Sequence, residues 1–331
     1  MAAMTSPADN LTIWCNAKFP PAALEALRAG LRRHRLVFSS APPTGNLVGS
    51  APDPELERAD VAFGQPDPAQ IMKLPRLRWV HLTSAGYTRY DRDDLRSALR
   101  ARSATLTNSS AVYAEPCAEH AFAMMLALAR RLPQCVADQQ TTRPWHAAEH
   151  RIRSRVLTGQ TALIVGYGAI GRRLVELLEP LRINVVCVRR RPVGDEGVRV
   201  VPQDQIGEWL PRADHVVNIL PENKETLGFF GPERIRAIKP GGAFYNIGRG
   251  TTVDQNALLA ALRSGHVGAA YLDVTDPEPL PPDHPLWSAP NCFITPHTAG
   301  GRDDEFEQLV RQFLDNLRRF ETGEPLRDRV I

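Results

Sequence analysis

At 331 residues the chain has the length of about two domains, each able to bury its own core. Its 40 Lys and Arg nearly cancel its 37 Asp and Glu, which excludes the broad field that holds nucleic acid or an anionic membrane. The start, MAAMTSPADN, lacks the basic residues and apolar core of a targeting signal, and AFAMMLALA from Ala121 is about half a membrane span, so a soluble cytoplasmic protein is expected.

From Leu11 to Thr107 short apolar segments (LTIWC, RLVFSS, ADVAFG, RWVHLTS, ATLTN) alternate with helix-like stretches such as PAALEALRAGLRR and DPAQIMKL. That alternation predicts a parallel α/β sheet. The segment Ala114 to Leu132, with good helix formers and a nearly continuous apolar face, predicts a buried helix passing between lobes. A second α/β run follows: TALIV, a glycine turn, RRLVELLEPL, INVVCV, ADHVVNIL, GAFYNIG, GAAYLDV and CFIT, the doubly wound pattern. The Pro-rich DPEPLPPDHP reads as a rigid loop, and an amphipathic helix, roughly Asp303 to Thr322, closes the chain.

The cysteines at 15, 117, 135, 187 and 292 form no CxxC pair, and Cys15, Cys187 and Cys292 read as small buried hydrophobes. No HExxH or clustered His/Asp pattern suggests a metal, so none is expected.

GYGAIG, residues 166–171, follows an apolar strand and opens a helix. Gly166 permits the tight turn, Gly168 lets backbone approach a pyrophosphate, and Gly171 lets helix pack on strand, while the helix N-terminus offers N–H groups to the anion. Tyr167, Ala169 and Ile170 complete the turn. The next strand should end in Asp or Glu for NAD, whose ribose hydroxyls need an acceptor, but here Arg189, Arg190 and Arg191 follow INVVCV. Guanidinium groups there suit a 2′-phosphate and favour NADP(H), with NAD still possible; a solvated basic turn is the alternative. Either Arg189 or Arg190 could make the main phosphate contact.

Three later segments place polar residues at strand ends: NIGRG with Arg249, LDVTDPEP with Asp273 and Glu278, and ITPHTAG with His297. Singly each reads as a turn or loop residue; their order after a dinucleotide turn gives them meaning. With WVHLTSAGY, TNSSAVYAEPCAEHAF, NILPENKETLGFF, NIGRGTTVDQNAL, YLDVTDPEPLP, LWSAPNCFITPHTAG and NLRRFETGEPL, these motifs cover almost the whole chain. So ordered, they resemble the D-isomer-specific 2-hydroxyacid dehydrogenase family, which includes glyoxylate and hydroxypyruvate reductases.

The resemblance implies Arg249, Glu278 and His297 as the catalytic set. Reducing a 2-keto acid needs a cation for the carboxylate and carbonyl, which suits Arg249, and a proton donor, which suits His297 with Glu278 holding its charge. It implies that backbone N–H groups of Ser84, Ala85 and Gly86 hold the substrate carboxylate. It also implies cofactor contacts at Leu220, Pro221, Ile247, Gly248, Arg249, Asp273 and His297. Asp273 reads as a partner of the nicotinamide amide or as a strand-end cap. Trp145 reads either as reaching a neighbouring subunit's pocket or as a packing residue.

Glu278 stands where formate dehydrogenases resemble glutamine, and the short end after the last helix leaves no regulatory extension, so small keto acids are expected. The expected product is the D-2-hydroxy acid. A dinucleotide-sensing binding protein resembling the C-terminal-binding-protein corepressors is the alternative. The implied fold is α/β with two lobes: a flavodoxin-like substrate domain (1–108 and 299–331) with an inserted doubly wound Rossmann domain (109–298), chemistry in the cleft between them, and a homodimer.

Overall fold

The computed structural model describes residues 10–40, 49–194 and 196–331. The reading of the extreme N-terminus falls almost wholly outside them. The described residues open with β1 (Thr12–Cys15), α1 (Pro21–Gly30), β2 (Arg35–Phe38), β3 (Val61–Phe63), α2 (Pro68–Met72), β4 (Trp79–His81), α3 (Asp93–Ala101) and β5 (Thr105–Thr107). Next come α4 (Ser110–Ala129), α5 (Leu132–Gln140) and α6 (Ala147–Arg153). The second run is β6 (Thr161–Val165), α7 (Ala169–Leu178), β7 (Asn184–Arg189), β8 (Arg199–Pro202), α8 (Ile206–Trp209), β9 (His215–Asn218), α9 (Pro232–Ala237), β10 (Gly242–Asn246), α10 (Gln255–Arg263), β11 (Val267–Leu272) and β12 (Cys292–Ile294), before α11 (Glu305–Thr322).

Contacts divide the chain into two units, Met1–Tyr113 with Arg302–Ile331, and Ala114–Gly301. The sequence reading placed the divisions after 108 and 298; the first observed boundary, between Tyr113 and Ala114, falls inside α4, so no loop marks it.

In the first unit five strands pair in parallel in the order β2-β1-β3-β4-β5, the flavodoxin-like arrangement. Parallel strands covered on both faces read as continuous apolar runs, which is why they were legible. One face carries α1 and α11, with Leu27, Leu309, Val310, Phe313 and Leu317 against Ile13, Phe63 and Trp79. Phe313 stacks on Phe63 at 4.1 Å and on Trp79 at 5.2 Å between ring centroids. The other face packs Leu56, Ile71, Leu95 and Leu99 against Trp14, Ala62, Val80 and Leu106. Gly323, at φ +71°, ends α11 in the left-handed conformation glycine adopts without penalty.

The second unit holds seven parallel strands in the order β12-β11-β10-β9-β6-β7-β8. Chain direction across the sheet reverses between β6 and β9, the switch point at whose carboxyl side such sheets bind dinucleotides. β8, α5 and α6 were not anticipated. β8 is a four-residue edge strand too short to show a period, and neither α5 nor α6 buries a residue. The cysteines are free; Cys15 and Cys187 are buried as expected, but Cys292 is only half-buried because β12 is an edge strand.

Each unit buries a neutral histidine. In the first, Trp79 Nε1 donates to Thr107 Oγ1 at 2.9 Å, which also meets His81 Nδ1 at 2.7 Å. Ser109 Oγ spends its proton on Leu82 O at 2.7 Å, so at 3.4 Å it accepts from His81 Nε2, leaving Nδ1 to accept from Thr107. In the second unit His215 meets Tyr245 Oη at 2.9 Å and Gln160 Oε1 at 2.5 Å. Burial pushes His81 down to about 3 and His215 down to about 4.

Unfolding raises both histidines back toward about 6.5. Below that value the unfolded chain binds more protons, so the stabilisation present above it is lost as pH falls toward the folded values. Between about pH 7.5 and pH 5, each histidine should cost about 2 kcal/mol of stability. Urea unfolding at the two pH values should show the midpoint falling; an unchanged midpoint would exclude buried neutral histidines.

Candidate active site

The glycine turn joins β6 to α7. Gly166 adopts φ +115°, and a Cβ there would lie 3.1 Å from the Ile219 backbone; a Cβ on Gly171 would meet Gly166 O at 2.4 Å. Packing therefore explains both. A Cβ on Gly168 would meet nothing within 4 Å, so no protein atom requires glycine there. Open space above a bare backbone, at a helix start with no side-chain cap, fits a diphosphate. Ala169 and Ile170 open the first turn of α7, while the buried Tyr167 turns its hydroxyl to Glu196 O at 3.3 Å.

Arg189 closes β7, with Nη1 3.8 Å from Glu196 Oε1. Glu196 also accepts from the N–H groups of Val193 and Gly194 at 2.7 and 2.8 Å, and the Val193 bond is the main cause of its lowered pKa. Arg190 Nη1 donates to Glu225 Oε2 at 2.6 Å, and Arg191 is exposed. The two leading arginines thus face different acids, a detail set by loops distant in sequence.

Arg249 follows β10 on a turn held by buried polar side chains. Asn246 Nδ2 and Thr252 Oγ1 donate to Arg249 O at 3.1 and 2.6 Å, and Asn218 Nδ2 bonds Asn246 Oδ1 and Thr252 Oγ1 at 3.0 and 2.7 Å. A Cβ on Gly248 would lie 2.5 Å from Leu220 O, so this turn presses directly on the one carrying Leu220 and the exposed Pro221. Ile247 is buried, its N–H bonded to Asn218 O at 3.1 Å. Arg249 Nη1 reaches its neighbour Gly248 O at 2.6 Å.

Asp273, just past β11, builds the loop after β12. Its carboxylate accepts from Thr295 Oγ1 at 2.7 Å, Thr298 N at 2.8 Å and Ala299 N at 3.0 Å, and its carbonyl accepts from His297 N at 2.9 Å. His297 sits in that loop at φ +52°, a left-handed conformation uncommon for a side-chain-bearing residue. Its Nδ1 is hydrogen-bonded directly to Glu278 Oε1, while no hydrogen bond or ion pair engages its Nε2 among the described residues. Because β10, β11 and β12 are neighbours, Arg249, Glu278 and His297 follow three adjacent strand ends.

Two residues on α4 escaped the sequence reading. His120 Nε2 lies 3.2 Å from Thr295 Oγ1 and 3.6 Å from Asp273 Oδ1; burial lowers its pKa, with Asp273 opposing. Burial pushes the Cys117 thiol up to about 12, Asp273 adding to the shift and Arg249 opposing it. Their spacing puts both on one helix face, but within an apolar run that face reads as packing alone.

In the first unit, Ser84, Ala85 and Gly86 form a loop whose carbonyl groups are all engaged. Ser84 O accepts from Ser109 N at 3.0 Å, Ala85 O from Asn108 Nδ2 at 2.7 Å, and Gly86 O from Ser84 Oγ at 2.6 Å. Gln65 Nε2 steadies Ser84 Oγ at 3.0 Å. The three N–H groups have no acceptor among the described residues, a backbone cradle for an anion.

The fold also gathers Asp138, His146 and His150, whose donor atoms lie within 4.8 Å of one another, where the sequence showed no His/Asp cluster. Arg131 Nε lies 3.3 Å from His150 Nδ1, so His150 carries its proton on Nε2, 2.7 Å from Asp138. A guanidinium behind that ring favours a hydrogen-bonded relay over a ligand set.

The family model for "D-isomer specific 2-hydroxyacid dehydrogenase, NAD binding domain" matches residues 122–299. The chain is 34% identical over 258 residues to glyoxylate/hydroxypyruvate reductase B of Escherichia fergusonii, covering 76% of this chain and 77% of that one. It is 32% identical over 257 residues to glyoxylate reductase of Korarchaeum cryptofilum, covering 76% and 75%. Among solved structures it is similar to a D-isomer specific 2-hydroxyacid dehydrogenase from Xanthobacter autotrophicus in complex with NADPH and MES, with a TM-score of 0.79, 27% identity and 98% of each chain covered. It is also similar to the NADPH-dependent glyoxylate/hydroxypyruvate reductase from Sinorhizobium meliloti in complex with NADP and malonate, with a TM-score of 0.73, 25% identity and 97% of each chain covered. The chain belongs to the D-isomer specific 2-hydroxyacid dehydrogenase family.

Proposed function

We propose that the protein reduces a small 2-keto acid, glyoxylate or hydroxypyruvate being the leading examples, to its D-2-hydroxy acid with NADPH, NAD(H) serving less well. The observation that carries this reading is the direct Glu278–His297 hydrogen bond, one strand from Arg249, in a chain of this family. The reduced nicotinamide, when bound, supplies the hydride. The chain's own groups do the rest.

The Arg249 fork pairs with the substrate carboxylate and polarises the carbonyl. Glu278 accepts from His297 Nδ1, which leaves Nε2 to give its proton to the carbonyl oxygen as the carbon is reduced. In the reverse direction Nε2 takes the proton of the alcohol. Asp273 holds the loop that aims His297.

Initial rates with a panel of 2-keto acids and both cofactors provide the test. Turnover should exceed background with at least one short keto acid, and kcat/KM should favour NADPH by roughly tenfold or more, the worth of a charge-assisted pair with the 2′-phosphate. No turnover with either cofactor would transfer the reading to a dinucleotide-sensing binding protein, which the names of the relatives do not favour.

The same reading makes the protein a cytoplasmic homodimer that binds neither nucleic acid nor membrane. Free cysteines and near-balanced charge support the first and last parts. Among the described residues no helix is long and apolar enough to cross a membrane. Leu132, Val136, Trp145, Ile152 and Val156 are exposed within one segment, a concentration that supports a subunit contact there. Trp145, 93% exposed, is not the packing residue its type allowed.

A further inference from the structure

Beyond the glycine turn, the carboxyl ends of β7 and β8 border a hollow of about 400 Å³ lined by Arg190, Pro202, Gln203, Asp204 and Arg234. The hollow is shallow and open to solvent, so it suits a charged group at the edge of a larger ligand. In doubly wound folds the strand after the glycine turn carries the adenosine ribose at its carboxyl end, and here that strand is β7. Two guanidinium groups and one carboxylate therefore face the place where a 2′-substituent of that ribose belongs.

Arg234 was not noticed in the sequence, since it lies on α9, far from the arginine run. Its Cζ sits 3.9 Å from the centroid of the Phe229 ring, and its Nη1 donates to Phe229 O at 2.5 Å. The ring and the carbonyl fix the plane of the guanidinium and leave Nε and Nη2 without an acceptor among the described residues. No carboxylate forms an ion pair with it among those residues, whereas Arg189 has Glu196 and Arg190 has Glu225. The Arg190–Glu225 pair is largely exposed, and such pairs are readily exchanged for a stronger anion.

We propose that this hollow receives the 2′-phosphate of the cofactor's adenosine half between Arg190 and Arg234, making Arg234 a determinant of cofactor choice; the inference rests on the NADPH reading above. The doubly charged phosphate takes the open edge of Arg234 and displaces Glu225 from Arg190. Asp204, on the same wall, repels phosphate and confines it to the arginine side. Arg189, turned toward Glu196, stands outside the contact.

Calorimetric binding of AMP and of adenosine 2′,5′-bisphosphate, which differ only in the 2′-phosphate, tests this with the full chain. Wild type should bind the bisphosphate more tightly, and Arg234→Ala should weaken the bisphosphate by roughly 10- to 100-fold while leaving AMP unchanged. Arg234→Lys should recover part of the loss, keeping the charge without the fork. Unchanged selectivity in Arg234→Ala, beside a selective wild type, would overturn the role of Arg234 and leave the NADPH reading standing. Equal weakening of both probes would also overturn it, revealing a mere support for Phe229. A wild type indifferent to the 2′-phosphate would instead sink the NADPH reading, and this inference with it.

Discussion

His297→Asn should lower kcat for keto-acid reduction by roughly 10²- to 10⁴-fold, the usual worth of a positioned general acid. Asparagine suits the test because it tolerates the left-handed region, and His297 sits at φ +52°. The loop is held by Asp273 through the N–H groups of residues 297, 298 and 299, so its backbone does not depend on the imidazole. The variant should therefore fold and bind cofactor while losing the proton donor. Steady-state rates at saturating NADPH, with circular dichroism to check the fold, make the comparison; a loss under about tenfold would take His297 out of the proton transfer.

Glu278→Gln should fall between wild type and that variant. The amide can still accept from His297 Nδ1, but it brings no negative charge to stabilise the imidazolium, so orientation survives and the charge-assisted part of the bond is lost.

What was legible in the sequence depended on how local its cause is. Strands buried on both faces announce themselves as runs such as TALIV and HVVN, whereas β8 lies at a sheet edge and α5 and α6 bury nothing, so no apolar period marked them. Arg249, Glu278 and His297 became candidates through the order of their motifs and the family resemblance, since singly each reads as a turn or loop residue. Their supports were not legible. That Asn218 would tie together the side chains that clamp the Arg249 carbonyl, or that Asp273 would spend both oxygens on the His297 loop, depends on pairings made across more than 20 residues of chain. The same holds for the arginines: the run at 189–191 suggested an anion site, but only the fold shows Arg189 and Arg190 turned to separate glutamates and brings Arg234 to the hollow beside Arg190.

Arg249→Ala should reduce kcat/KM for the keto acid by roughly 10³-fold or more, divided between a higher KM and a lower kcat. The division follows from what the guanidinium does. Pairing with the substrate carboxylate is present in ground and transition states alike and so appears in KM; polarising the carbonyl grows as charge develops on oxygen and so appears in kcat. The turn itself should survive, because Asn246, Thr252 and Asn218 hold the backbone of residue 249, and among the described residues the side chain's one hydrogen bond runs to the adjacent Gly248. Arg249→Lys restores the charge but presents a point donor where two parallel bonds are needed, so it should recover KM more than kcat. Full kinetics for the three proteins with one keto acid decide the matter: a change confined to KM would leave Arg249 as a carboxylate clamp only, and unchanged kinetics would place it outside the site.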